Sequence, residues 1–368
     1  MPPKTASTPA LAFFTDVEQF RPIALPLLAS DTTFNTLALT ALLSVTAPKP
    51  GMVLGLLTNS SNSSSIVLVC PGLQGIGCQL YVAPAPTDEE AAKLIAQQLP
   101  NLSCTTTSTT SAGAALLQQY CGWPEKHRMH IMLYQPEDSS DEGADVAALT
   151  ETSTTTAASR LAAGAAADTG YTGKAATAAY AAAAGLLAHS TSSWPSSIPC
   201  TAALTLRSCS PDKPADVQLV LEWAGEFLAQ AFHLASAPPA PQLQAMVLPR
   251  LQQGLYYLLH DSSAAAAAAA PVCMACHVPT SSDSTRVTML FTPAEQRGRG
   301  YGRQTMRQLC NQLVARGYRR ICLMADQAEP AVKRLYQGVG FVAVGDMVML
   351  ERCSQQAAEA DQQPHERS

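Results

Sequence analysis

Charge is scarce in this chain, at 14% of 368 residues, and aromatic side chains make up only 6%. Neither sign dominates: the formal net charge is −5 and the pI lies near 5.8, so no global field favours a nucleic-acid partner. No apolar run reaches the ~20 residues a membrane-spanning helix needs, and the tract at 264–270 is only a short run of alanine. A secretory signal is missing too. Leu11-Ala12-Phe13-Phe14 is too short for an apolar h-region, and Asp16 follows it. Without export, eleven cysteines imply reduced thiols in a cytosol-like compartment, and the sequons at Asn59, Asn62 and Asn101 carry no meaning. Cytoplasmic placement is the expectation, with a plastid leader as the open alternative.

What is abundant is alanine, and its excess explains the low charge. Residues 136–198 are acidic and then rich in Ala, Ser and Thr, with almost no large apolar side chain before Trp194. Such a segment buries too little surface to offset its ordering entropy. A disordered linker or insertion is expected, with alanine helix conceivable near 175–187. The flanking spans read as globular. Over 16–135, apolar stripes through Phe20–Leu28 and Leu37–Leu43 suggest helices, followed by strands near 53–57, 66–69 and 80–82. A helix stripe at Ala91, Leu94, Ile95 and Leu99 and a strand at 130–134 complete a helix-first α/β order. Over 200–353 the expected order is a strand near 202–206, helices from Asp216 and Pro241, strands near 255–259, 272–278 and 286–291, and then the segment that carries the chemistry. Residues 354–368 read as a disordered tail.

That segment is Arg297-Gly298-Arg299-Gly300-Tyr301-Gly302. A strand precedes it, and Met306, Leu309, Cys310, Leu313 and Val314 follow at helical spacing. Strand, glycine-rich turn and helix N-terminus is the arrangement that offers backbone N–H groups to a phosphate, and Arg297, Arg299, Arg303 and Arg307 add positive charge. The third glycine of a dinucleotide fingerprint is absent, and so is the Gly-Lys-Ser/Thr of a P-loop. A buried strand at 321–325, a helix opened by Pro330 and a strand from Phe341 follow. Cys273-Met274-Ala275-Cys276-His277 matches a haem-attachment pattern, but nothing around it supports haem or zinc, and no metal is expected.

Arg297, Gly300 and Gly302 satisfy the Arg-x-x-Gly-x-Gly pattern of the GNAT (GCN5-related) N-acetyltransferases, and Leu335-Tyr336 followed by Gly340-Phe341 matches that family's last helix. The chain resembles a bacterial-type subgroup with a long N-terminal extension. The resemblance is specific over about 286–350. It implies an α/β (α+β) GNAT fold with a mixed central sheet flanked by helices, preceded by a smaller, degenerate GNAT-like domain. It also implies acetyl-CoA as co-substrate and an amine acceptor, with neither nucleic acid nor membrane as partner. In that reading Leu290, Phe291 and Thr292 line the pantetheine arm, and Arg297, Gly298, Arg299, Gly300, Tyr301, Gly302 and Arg303 hold the pyrophosphate. Tyr336 is the general acid that protonates the leaving sulfur. The base stays open among Asp326, Glu329, Glu222, Glu226 and water. The chain departs from the family at Glu329, where many members carry Asn. A non-catalytic acyl-CoA-binding module and transfer of a longer acyl group are the competing readings. No phosphate-binding motif occurs in the first span, where 105–113 offers only small and hydroxyl side chains, so that span is expected to bind no CoA and to frame the acceptor cleft.

Overall fold

The computed structural model describes residues 10–45, 49–58, 64–71, 78–86, 89–102, 104–136, 204–262 and 270–352. The expected linker beyond residue 136, the alanine helix near 175–187, most of the alanine tract at 264–270 and the C-terminal tail lie outside the described residues.

One order of ten elements occurs twice. The first half runs β1 (Ala10–Phe14), α1 (Val17–Ala29), α2 (Thr36–Ser44), β2 (Val53–Thr58), β3 (Ser64–Cys70), β4 (Gln79–Ala83), α3 (Glu89–Gln98), β5 (Thr106–Thr110), α4 (Ser111–Cys121) and β6 (Glu125–Tyr134). The second half runs β7 (Leu204–Ser208), α5 (Pro214–Ala231), α6 (Ala240–Gln252), β8 (Tyr256–Asp261), β9 (Ala270–Pro279), β10 (Ser284–Phe291), α7 (Tyr301–Ala315), β11 (Arg320–Asp326), α8 (Pro330–Gln337) and β12 (Phe341–Glu351). The mixed α/β architecture therefore extends across both halves. The order is not helix-first, because β1 precedes α1 and pairs with β2. Strand β5 had no sequence signal as a core strand, being all Thr and Ser, yet Thr106–Ser108 and Thr109 are buried. The β-branched threonines suit a pleated surface even without apolar character.

The strands form a single twelve-stranded sheet in the order β1-β2-β3-β4-β5-β12-β6-β11-β10-β9-β8-β7. Each half lends its last strand to the other. β6 lies between β11 and β12, and β12 lies between β5 and β6, all antiparallel. Only β4–β5 and β10–β11 run parallel among the described residues. Helices α1, α2, α5 and α6 cover one face. On β10 of that face, Arg286 lies beside Val278, which packs with the α5/α6 core, and reaches Thr40 of α2. The remaining four helices cover the other face, where Met132 joins the α7/α8 core and Val348 the α3/α4 core.

The second half holds together as its pattern directs. Met306, Leu309, Cys310 and Leu313 of α7 are fully buried, and Gly317, at φ 93°, ends the helix in the left-handed region. Strand β9 alternates between two cores, with Cys273 and Ala275 on the α7 side and Met274 and Cys276 on the α5 side. The two thiols of the haem-like pentapeptide thus lie on opposite faces of the sheet and cannot meet one haem.

Candidate active site

The site is a fork. Parallel pairing of β10 with β11 covers only Ser284, Thr285 and Arg286, against Arg320, Ile321 and Cys322, and beyond that point the two strands part. A bulge between Thr288 and Phe291 breaks the register of β10 against β9. Met289 sits in the bulge at φ 45°, where a non-glycine residue is uncommon and locally strained. Its sulfur accepts a hydrogen bond from the Tyr256 hydroxyl at 3.3 Å, which ties the bulge to the core below. A bulge turns main-chain N–H and C=O groups away from the ladder. Here it does so along one prong of the fork.

The turn after β10 closes the mouth. Gly298 and Gly300 adopt φ of 76° and 79°, and a Cβ at either would meet nothing within 4 Å, so the left-handed turn stands open. Gly300 caps α7 without a side-chain bond, which leaves the N–H groups of the first turn directed outward at the positive end of the helix. Gly302 is different. A Cβ there would come within 3.2 Å of Leu335 Cδ1 and 3.8 Å of Leu290 Cδ2 and Thr292 Oγ1, so its smallness lets α7, α8 and the end of β10 converge.

Tyr336 lies on α8, half-buried, with its ring 5.9 Å from that of Phe341 in an edge-on contact. Among the described residues its hydroxyl makes no hydrogen bond. Burial, and to a lesser degree the Cys273 thiol, raise its pKa above the ordinary phenol value. Cys273 in turn accepts a hydrogen bond from Thr292 Oγ1 at 3.3 Å. The tyrosine hydroxyl, the Cys273 thiol and the end of β10 therefore meet at one place beside the fork.

The other residues singled out in the sequence divide. Leu290 packs toward the α7/α8 core, while Phe291 is buried on the opposite face against Trp223. Arg297 donates to the Thr292 carbonyl at 3.0 Å and to Gln230 Oε1 at 2.7 Å, so it clamps the turn to β10 and α5. Tyr301 is buried, and its hydroxyl donates to Asp261 Oδ2 at 2.6 Å. What Tyr301 presents to the mouth is its backbone. Arg299 is exposed. Arg303 lies over Gly338, the residue that caps α8, and Arg307 donates to the Gly338 carbonyl at 3.3 Å.

Asp326 ends β11. Its Oδ1 accepts from the Ala328 N–H at 2.8 Å, and its Oδ2 lies 3.4 Å from His127 Nε2. His127 comes from β6 of the first half and had drawn no attention in the sequence. Nothing local marks it, because the pairing of β6 with β11 spans some two hundred residues. Glu222, Glu226 and Glu329 are exposed. A larger polar cluster lies nearby on β6 and β12, where Asp346 Oδ1 meets His130 Nδ1 at 3.1 Å and Gln327 Nε2 at 2.7 Å.

Residues 250–354 match the family model described as an acetyltransferase (GNAT) domain. Among solved structures, a GCN5-related N-acetyltransferase from Sphaerobacter thermophilus aligns at TM-score 0.53 and 13% identity, covering 94% of this chain and 95% of its own. A Drosophila protein aligns at TM-score 0.50 and 9% identity, covering 93% and 98%. At such identities these two establish the fold, and they do so over both halves. A GNAT-family acetyltransferase from Colwellia psychrerythraea aligns at TM-score 0.49 and 9% identity, covering 94% and 100%. No curated protein matches the chain. Among the described residues, no helix is long and apolar enough to cross a membrane.

Proposed function

We propose that this chain, whose residues 250–354 match the model of an acetyltransferase (GNAT) domain, is an acyltransferase that moves an acetyl group from acetyl-CoA to a primary amine of a small molecule or peptide. The observation that carries the reading is the fork itself. An open helix N-terminus lies at its mouth, a bulged strand forms its edge, and an unbonded tyrosine hydroxyl stands on its wall.

In this reading the first-turn N–H groups of α7, at residues 301–303, receive the pyrophosphate of CoA, with Gly298 and Gly300 allowing close main-chain approach. Leu290 and Thr292 line the pantetheine. The N–H freed by the bulge donates to the thioester oxygen as negative charge develops there. The amine nitrogen then attacks the carbonyl carbon and the C–S bond breaks. Tyr336 gives its proton to the departing thiolate and regains one from solvent. A raised tyrosine pKa keeps that proton in place until the sulfur needs it. The amine proton passes, directly or through water, to the Asp326–His127 pair. The first half binds no acyl-CoA and borders the acceptor side, and the protein works in the cytoplasm.

The test is release of free thiol from acetyl-CoA against a panel of amines. Acetyl transfer to at least one amine, with mass gain of one acetyl group on the acceptor, is the expected result. Acetyl-CoA binding with no thiol release for any amine would replace this reading with that of a non-catalytic binding module. A longer acyl-CoA outpacing acetyl-CoA would change the donor.

A further inference from the structure

One side chain at the vertex of the fork has no part in that chemistry. Arg286 is the last residue of β10 paired with β11, opposite Cys322. Its side chain lies on the face covered by α2, α5 and α6, whereas Tyr336 lies on the other. Nη2 donates to Thr40 Oγ1 at 3.0 Å. Nε is buried and has no hydrogen-bond partner. No carboxylate pairs with this guanidinium among the described residues.

Three other arginines of the chain find a carboxylate. Arg207 makes a two-pronged pair with Asp216 at 2.6 and 2.8 Å, Arg320 reaches both Asp283 oxygens through Nη2 alone at 3.0 and 3.1 Å, and Arg128 binds Glu125 through Nε and Nη2. Arg286 is half-buried, with a threonine hydroxyl as hydrogen-bond partner and with the Cys322 and Cys276 thiols, Tyr81 and the positive charge of Arg250 acting on it. Burial, followed by the influence of Arg250, lowers its pKa. Arginine nonetheless keeps its proton in proteins. A charge partly withdrawn from water without a counter-charge is poorly repaid by one hydrogen bond to a hydroxyl. Such a group is a built receptor for a planar anion.

We propose that Arg286 recognises the carboxylate of the acceptor, so that the amine acetylated here belongs to a molecule that is anionic at its far end. The inference rests on the transferase reading and narrows it. The bulge at Met289 lies three residues beyond Arg286, roughly 10 Å along a strand. The acceptor therefore separates its amine from its carboxylate by several bonds, as an ω-amino acid or a dipeptide does, with the carboxylate at the vertex and the amine at the fork.

Two measurements on the full chain decide the matter. The first is thermal stabilisation by N-acetylated ω-amino acids and dipeptides, each compared with its C-terminal amide. The second is thiol release from acetyl-CoA with the same unacetylated pairs. The carboxylate of each pair should stabilise the protein more and react with at least tenfold higher kcat/KM, the difference lying mainly in KM. In Arg286→Gln both preferences should collapse toward parity, and Arg286→Lys should retain part of them. The melting temperature of each variant without ligand reports its folding, and Arg286→Lys keeps the test open if Arg286→Gln does not fold. Equal responses to acid and amide in the unaltered protein, or a preference that survives in Arg286→Gln, would overturn the assignment. Discrimination in the first measurement with no turnover in the second would uphold Arg286 while removing the transferase reading.

Discussion

The two halves share one backbone plan and differ in the residues placed at its critical points. Between β10 and α7 the second half has two left-handed glycines in a basic turn. The matching connection in the first half, between β4 and α3, reads Pro84-Ala85-Pro86 before residues 87 and 88, which lie outside the described residues. Helix α3 then opens with Glu89 and Glu90, which set two carboxylates against any phosphate at that helix end. Strand β10 carries a bulge, whereas β4 pairs with β3 in continuous register from Gln79 to Ala83. The seventh residue of α8 is Tyr336; the seventh of α4 is Leu117, fully buried in its own core. The β4–β5 pairing likewise covers only Gln79–Tyr81 against Thr106–Ser108, and a cavity beside it is lined by Phe34, Leu37 and Ala38, from α2 and the turn before it, and by Met347 of β12. Under the proposed function, only the copy with the glycine turn and the tyrosine keeps the chemistry.

The comparison breaks most readily at the proton donor. Tyr336→Phe should lower kcat at least about a hundredfold, the usual range for loss of a general acid, with acetyl-CoA affinity preserved in a binding titration. Leu117→Ala should instead cost about 2–5 kcal/mol of stability in a denaturant melt. Transfer that survives in Tyr336→Phe would make the two positions equivalent.

A second probe is the mouth. Acetyl-CoA should titrate to about one equivalent per chain, because only one of the two matching connections carries glycines and basic residues in its sequence. Gly300→Val, forced into a left-handed conformation that costs about 1–2 kcal/mol, should weaken that binding about tenfold. Two equivalents per chain would erase the contrast between the turns.

Acid should loosen the second half first. His277 is buried on β9, its Nδ1 lies 2.9 Å from Thr285 Oγ1, and burial pushes its pKa down to about 4. The fold holds the neutral ring, so below the ordinary value of 6.5 the unfolded chain binds a proton that the folded chain refuses. Stability is complete above that value and is lost as pH falls toward 4, by about 3 kcal/mol in all. Hydrogen exchange at successive pH values should show β8, β9 and β10 opening in this window before β2 and β3. Uniform opening, or opening only below pH 4, would contradict the assignment to His277.

The smallest effect concerns the seam between the halves. A Cβ on Gly345 of β12 would approach Phe34 Cε1 to 2.5 Å. Gly345→Ala should therefore destabilise the chain by about 1–3 kcal/mol while leaving acetyl-CoA affinity intact. A neutral result would mean that the turn before α2 shifts freely over the borrowed strand.

Much of the second half could be read from its residues. The stripe of α7, the glycine turn, Pro330 at the first position of α8 and the Leu335-Tyr336 pair all act locally, so their consequences are visible in a short window. The Arg297 side chain was read as part of the phosphate site, and its hydrogen bonds to Thr292 and Gln230 show that a motif residue also clamps the turn. The bulge at Met289 had no local sign, since methionine carries no preference for positive φ. Strand β5 hid behind its hydroxyls. His127 reaches Asp326 only because β6 crosses into the other half, and no pattern within β6 announces that.

The sequence by itself determined which helix N-terminus is open and basic and which helix carries the phenol, because glycine conformation, capping and periodicity are properties of neighbours along the chain. Tertiary structure alone decided where the strands part, which histidine meets Asp326 and that Arg286 meets a threonine and no acid among the described residues. Those facts depend on pairings between distant segments, whose register is set by the burial of whole faces rather than by any one residue's preference.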